Sequence, residues 1–329
     1  MMDLVPSFDN EQIAQIVLDL YGIEGEVLPL DSFEDQNTRI KTKDGSYVFK
    51  IANSKWEIDS FYFQNEVLER FAKMAPSLKL PVVIPTLKGE SLTIKDGFPV
   101  RLLTYLDGNV LSITPRCPEL YRDMGRFMGR FNQVMNGYSH PAQNRPEYLW
   151  NLDNVMAAKP FISDVKDAKD RGRIEFFFKA YEMETLSKIP DLRKAVIHGD
   201  ANEFNILVDA GGAPKVVGLI DFGDLSKASI VNELAIMLAY GLLGEEHVEI
   251  STEEMIKGFH TEFPLEESEY DVLFNLTAMR LVQSLILSSN RAKLFPENDY
   301  IIASQKPIKL LLKKLAEDKN LKTTFKCMA

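Results

Sequence analysis

The sequence predicts an α+β chain of two lobes: a small antiparallel-sheet lobe over residues 1–106 and a larger, mostly helical lobe over 107–329. Three observations carry this reading. The first hundred residues hold short apolar runs separated by turn signals, including two Asp-Gly pairs. After Asp107-Gly108 the apolar residues recur at helical spacing. Within that helical half, one compact strand-loop-strand stretch runs over 196–223. A length of 329 residues also fits about two packed units.

Taken in order, Asp9 with Gln12 three residues on is a capping-box pattern. Ile13, Ile16, Val17 and Leu20 follow it as one apolar helix face. Strands are expected at Glu26–Leu30, 38–42 and Ser46–Ile51. The last two flank Asp44-Gly45, residue types that suit a type I′ turn because both central positions need φ > 0. A helix at about 57–74 comes next, then strands near 82–84, 91–94 and 99–106, the last two joined by Asp96-Gly97. Beyond 108, Leu120, Met124, Phe127, Met128 and Phe131 form one helical stripe, and 169–188 reads as another helix. Gly125 and Gly129 are expected to let that first helix pack closely against a neighbour. Apolar runs at Val196-Ile197, 206–208 and 216–220, with a turn at Ala210-Gly211-Gly212, make the strand-loop-strand stretch, and from Ser229 the chain reads as helical again.

Composition narrows the function classes. With 45% hydrophobic and 26% charged residues the chain has ordinary globular usage. Its 38 Lys+Arg against 48 Asp+Glu, a formal charge of -10, argue against a sequence-independent nucleic-acid partner, which needs a basic face. Two cysteines, Cys117 and Cys327, and four histidines leave oxygen donors as the expected ligands of any metal. The N-terminus shows no basic segment ahead of an apolar one, and the longest apolar stretch, 234–243, is too short to span a bilayer. A cytoplasmic protein without a membrane partner is expected; the oligomeric state is not legible.

The sharpest signal is His198-Gly199-Asp200 followed by Asn205, then Asp221-Phe222-Gly223 after two more strands. His-Gly-Asp-x-x-x-x-Asn arises by chance in roughly one chain in a thousand of this length, which sets it apart from two polar turns of a β-meander. One carboxylate, Asp200, can accept a hydroxyl proton, while the Asn205 amide oxygen and the Asp221 carboxylate hold Mg²⁺. This is the pattern of the protein-kinase catalytic loop and its magnesium Asp, with Gly199 where protein kinases usually carry Arg. The fold expected is therefore bilobal and protein-kinase-like.

That template also requires a lysine on the third strand and a glutamate on the following helix, supplied by Lys50 and Glu66, to hold the nucleotide phosphates. The loop that would cover those phosphates, Asp31-Ser32-Phe33-Glu34-Asp35-Gln36-Asn37, has no glycine, so contacts there would come from backbone amides and Ser32, and an ordinary polar hairpin loop fits it equally. A purine would sit against the segment Leu103-Thr104-Tyr105-Leu106, bonded by its backbone groups. No Walker A or dinucleotide fingerprint occurs.

These residues resemble the aminoglycoside phosphotransferase family, whose members use His-Gly-Asp in the catalytic loop. The resemblance spans most of the chain and is closest to hydroxylysine kinase-like members, through Leu28 to Asn37, Val100 to Leu106, Tyr148 to Leu152, His198 to Val208 and Gly218 to Asp224. It implies ATP or GTP as phosphate donor, Mg²⁺ as cofactor, and a small acceptor with a hydroxyl on an amino acid or amino alcohol. Homoserine, choline, ethanolamine and aminoglycoside kinases share the core motifs, and a non-catalytic nucleotide-binding pseudokinase stays open beside them. A small acceptor is favoured independently: too few residues separate Asp224 from the next helix for a peptide-docking activation segment. A cationic acceptor would need acidic groups, and Asp224 and Glu203 stand near the catalytic motif in sequence.

Overall fold

The computed structural model describes residues 5–32, 35–295, 297 and 299–326. The chain clusters into two compact units, one running to Gly108 and including Gly218–Gly223, the other built from Asn109–Val217 and the residues from Asp224 onward.

In the first unit, α1 (Asn10–Tyr21) starts on the expected box: the Asp9 carboxylate accepts from the Gln12 N–H and the Gln12 side chain accepts from the Asp9 N–H. The strands β1 (Glu26–Leu30), β2 (Gln36–Lys41) and β3 (Ser46–Ile51) follow, then α2 (Ile58–Met74), β4 (Val83–Ile84), β5 (Thr93–Lys95) and β6 (Phe98–Thr104). They form an antiparallel sheet in the order β1-β2-β3-β6-β4, with β5 pairing β6. Ile13, Ile16, Val17 and Tyr21 of α1 pack with Ile40, Phe49, Ile51, Val100 and Leu102 on one face of this sheet. Alternation turns Lys50 and Arg101 to the other face, where Arg101 bonds side chains of α2.

The two Asp-Gly pairs behave differently. Asp96 and Gly97 have φ of 51° and 87° and close a two-residue turn between Lys95 and Phe98. Asp44 has no positive φ: β2 and β3 are joined by a four-residue loop, closed by the Thr42 N–H donating to the Gly45 carbonyl at 2.8 Å. The Thr42 hydroxyl accepts from the Asp44 N–H, a local bond that competes with the tighter turn.

In the second unit, β7 (Asn109–Val110) leads into α3 (Pro118–Met135), a run of 3-10 turns over Leu152–Asp164, and α4 (Ala168–Glu184). Then come β8 (Lys194–Ile197), β9 (Ile206–Val208), β10 (Val216–Leu219, whose last two residues count with the first unit) and β11 (Ser226–Ser229). The helices α5 (Val231–Gly241), α6 (Val248–Glu262), α7 (Glu267–Leu294), α8 (Gln305–Glu317) and α9 (Leu321–Thr324) complete it. β7 pairs β9, and β11 pairs β8, both antiparallel. The sequence reading missed β11. Ser-Lys-Ala-Ser carries no bulky apolar residue, and its strand geometry comes from pairing with β8. Gly125 of α3 meets Met255 and Gly258 of α6, and Gly129 meets Phe259 and Glu262, so closely that a Cβ on Gly125 would lie 2.1 Å from the Met255 carbonyl oxygen. The 28-residue α7 is long and apolar enough to span a bilayer, contrary to the expectation from sequence, but 94% of its apolar window is buried inside the protein.

Candidate active site

The loop after β8 is built around backbone N–H groups that need acceptors. His198 is fully buried, with the Phe131 ring edge-on at 6.0 Å. Its N–H donates to Glu233 Oε2 at 2.6 Å, and the Gly199 N–H donates to Glu233 Oε1 at 3.4 Å. Glu233, on α5, is wholly enclosed, and burial pushes its carboxyl up to about 7 against the pull of those two N–H bonds. Gly199 has φ 79°, and a Cβ there would lie 2.9 Å from the Asp224 carbonyl oxygen, so the position that holds Arg in protein kinases must be Gly here.

Asp200 then has both carboxylate oxygens fixed. Arg280 Nη2 donates to Oδ1 at 2.8 Å, and the Asn202 and Asn205 amide nitrogens each donate to Oδ2 at 2.9 Å. Asn205 Nδ2 also donates to the Asp200 carbonyl at 2.9 Å. The amide nitrogen of Asn205 is thus committed to the loop, which leaves its Oδ1 as the donor atom for a hard cation. Arg280, on α7, is 1% exposed. It donates further to the Tyr240 hydroxyl, the Trp150 carbonyl and Gln283 Oε1, and lies over the Trp150 and Tyr240 rings at 5.0 and 5.4 Å. Burial works against its charge, yet Tyr240, Asp200 and Asp224 hold it more firmly protonated than an ordinary arginine.

The two acidic residues named for an acceptor also lie in this unit. Asp224 accepts from the Tyr148 hydroxyl, whose ionisation is pushed well up by desolvation and by the Asp224 charge. Glu203 is 5% exposed; Oε1 accepts from Ser304 at 2.6 Å, while Oε2 is buried without a hydrogen-bond partner among the described residues. Burial pushes its carboxyl up.

In the first unit, Lys50 Nζ stands 3.9 Å from Asp221 Oδ1. Asp221 has φ 63°, a strained conformation for a residue with a Cβ, and its Oδ1 accepts from the Gly223 N–H at 3.3 Å. Its side chain is 56% exposed, open to a ligand. Glu66, the acid named for Lys50, is on α2. It sits on the exposed side of α2, while Gln64 and Asn65 are buried and bond Arg101. Ser32 is exposed and donates to the Asp35 carbonyl at 2.5 Å; Phe33 and Glu34 of the same loop lie outside the described residues. Leu103 pairs with both Val48 and Val83 inside the sheet. The Tyr105 N–H donates to the Ser46 carbonyl at 2.9 Å, so that group is committed to the sheet, and Arg39 lies over the Tyr105 ring at 4.0 Å. Through the backbone, Tyr105 can therefore offer a purine its carbonyl and not its N–H.

Among the described residues, no group of three or more His, Cys, Asp or Glu side chains is placed to hold a metal ion. The sequence pattern names the Asp221 carboxylate, in the first unit, and the Asn205 amide oxygen, in the second, as the donors for a divalent ion. That donor set fits Mg²⁺, which completes its octahedron with water and substrate phosphate oxygens. Three functional residues escaped the sequence reading. Arg280 is a lone cation in the apolar run Ala278 to Val282, Arg101 stands alone in an apolar strand, and Glu233 opens the apolar run of α5. A single charge inside an otherwise buried run was the available signal.

The profile of the phosphotransferase enzyme family matches residues 26–254. Hydroxylysine kinase of Xenopus laevis is 31% identical over 333 residues, covering 92% of this chain and 88% of that protein. Among solved structures, an amicoumacin kinase in complex with AMP-PNP and Ca²⁺ aligns with a TM-score of 0.68 at 12% identity, over 93% of this chain and 94% of that one. A microcompartment-associated aminopropanol kinase aligns with a TM-score of 0.65, also at 12% identity, over 93% and 98%. At such identities the likeness shows the fold, which is protein-kinase-like.

Proposed function

The chain belongs to the phosphotransferase enzyme family, and from that premise we propose a kinase that moves the γ-phosphoryl group of ATP or GTP onto the hydroxyl of an amino acid or amino alcohol, with a hydroxylysine-like acceptor first. The observation that carries this reading is the fixed carboxylate of Asp200, gripped by Arg280, Asn202 and Asn205. Fixed in this way, the Asp200 carboxylate is oriented to accept from an incoming hydroxyl. Its task is to orient the acceptor oxygen in line and to take the proton as the new P–O bond forms, which a loose phosphoryl-transfer transition state permits.

Asn205 and Asp221 would hold Mg²⁺, which supplies charge neutralisation on the phosphate oxygens when bound. Lys50 would contribute its ammonium to the same polyanion. A cationic acceptor is supported by the unpartnered Glu203 Oε2 and by the Asp224 carboxylate. The test is a coupled assay with both purine triphosphates against hydroxylysine, homoserine, ethanolamine, choline and aminoglycosides, run on the parent and on Asp200→Asn. Turnover should fall about 10²- to 10⁴-fold in the variant, with nucleotide affinity retained. A variant that turns over the true acceptor at the parent rate removes Asp200 from its role, and nucleotide binding without turnover of any acceptor favours a sensor.

A further inference from the structure

We propose that Arg101 is a positioning residue: its guanidinium, held by neutral amides, ties α2 to the sheet and keeps the Lys50 face cationic for a triphosphate. The inference rests on the kinase reading for its ligand and on the geometry of the first unit for the tether. Residues directly opposite in an antiparallel pair share a face. Asn37 is opposite Lys50, and Lys50 is opposite Arg101, so an amide, an ammonium and a guanidinium stand abreast across β2, β3 and β6.

Arg101 is 4% exposed and uses both terminal nitrogens on α2. Nη1 donates to Asn65 Oδ1 at 2.8 Å, Nη2 donates to Gln64 Oε1, and the guanidinium lies over the Phe61 ring at 5.5 Å. The other end of the Asn65 amide donates to the Ser91 carbonyl at 3.0 Å, which fixes Oδ1 toward the arginine. These bonds fasten the middle of α2 to the central strand β6. In the protein-kinase template the corresponding fastening is a lysine–glutamate ion pair. Here Glu66 lies on the exposed side of the helix, and its buried neighbours are uncharged.

The charge consequence follows directly. A carboxylate bonded to the arginine would cancel it, whereas amides satisfy its donors and leave the charge standing. Burial lowers the arginine to about 10, still far above neutrality, with Asp221 and Asp35 holding it up. The face therefore carries two cations, and Asp221 lies 3.9 Å from one of them.

Three variants test this, read by nucleotide affinity and by hydrogen exchange of α2. Asn65→Asp is nearly isosteric and pairs with Arg101 but gives up the donor to the Ser91 carbonyl, so the melting temperature should change little or fall modestly while the affinity for Mg-nucleotide, measured by titration calorimetry, falls about tenfold or more. Arg101→Met should weaken the nucleotide by at least as much and speed hydrogen exchange of the α2 amides, with Arg101→Lys restoring only part because it lacks the fork. Acceptor KM should move less than nucleotide KM in all three. Unchanged α2 exchange in Arg101→Met overturns the tether, and parent-like nucleotide affinity in Asn65→Asp overturns the charge argument. A parent protein that binds no purine triphosphate refutes the kinase reading instead, and the exchange readout still decides the tether.

Discussion

Replacing Glu233 with glutamine isolates the electrostatic cost of the carboxylate beneath the catalytic loop. The residue is completely enclosed and accepts from the His198 and Gly199 N–H groups. Burial, with a smaller push from Asp200, raises its carboxyl from 4.5 to about 7, opposed by the two N–H bonds and Arg280. Because the folded value lies above the unfolded one, the protonated carboxyl favours the folded state. Its stabilising contribution is complete below about pH 4.5 and is lost as pH rises through about 7. At 1.36 kcal/mol per pH unit of difference, the parent should lose about 2 to 3 kcal/mol from this group between pH 5 and 8. Glutamine keeps a carbonyl oxygen for the His198 N–H and does not titrate. Urea unfolding at pH 5, 6, 7 and 8 should therefore show a parent-minus-variant stability difference that shrinks or reverses toward alkaline pH by about that amount. Other titrating groups cancel in the subtraction. A difference that stays flat across the range, or grows in the parent's favour, refutes the assignment of a protonatable carboxyl there.

Two further substitutions probe packing and charge. Gly125→Ala drives a methyl to 2.1 Å from the Met255 carbonyl oxygen and should cost about 3 kcal/mol or more in thermal melting, whereas Gly172→Ala on α4, with open space around its Cβ, should be neutral or stabilise by about 0.5–1 kcal/mol. Arg280→Met leaves Asp200 and Glu233 without their buried cation. It should lower stability by about 3–5 kcal/mol and steepen the loss on raising pH from 5 to 8; equal stability of parent and variant at pH 8 would remove the ion pair from the argument.

Local signals in the sequence located most elements. The Asp9 box, the α3 stripe and the Asp96-Gly97 turn all act within a few residues, so short-range chemistry specifies them. Asp44-Gly45 failed because the nearby Thr42 offered the backbone another bond, and β11 failed because pairing with β8 supplies what its own residues lack. The site divides the same way. The motif residues Asp200, Asn202 and Asn205 lie within one loop and bond one another. The residues that hold the loop, Glu233 and Arg280, come from α5 and α7, far along the chain, and no spacing rule reaches them. Gln64 and Asn65 show the same limit: two amides among the apolar residues of α2, they are buried because Arg101 of a distant strand needs acceptors.

The path of the chain limits how this protein can be cut or recombined. It leaves the first unit after Gly108, returns for Gly218–Gly223, and departs again at Asp224. A fragment stopping at Gly108 would own Lys50 and Arg101 yet lack Asp221, the carboxylate beside that lysine. Chimeras with relatives therefore need two grafts, the long N-terminal block and the brief returning strand end. A single-crossover exchange would pair one parent's ammonium with the other parent's acid.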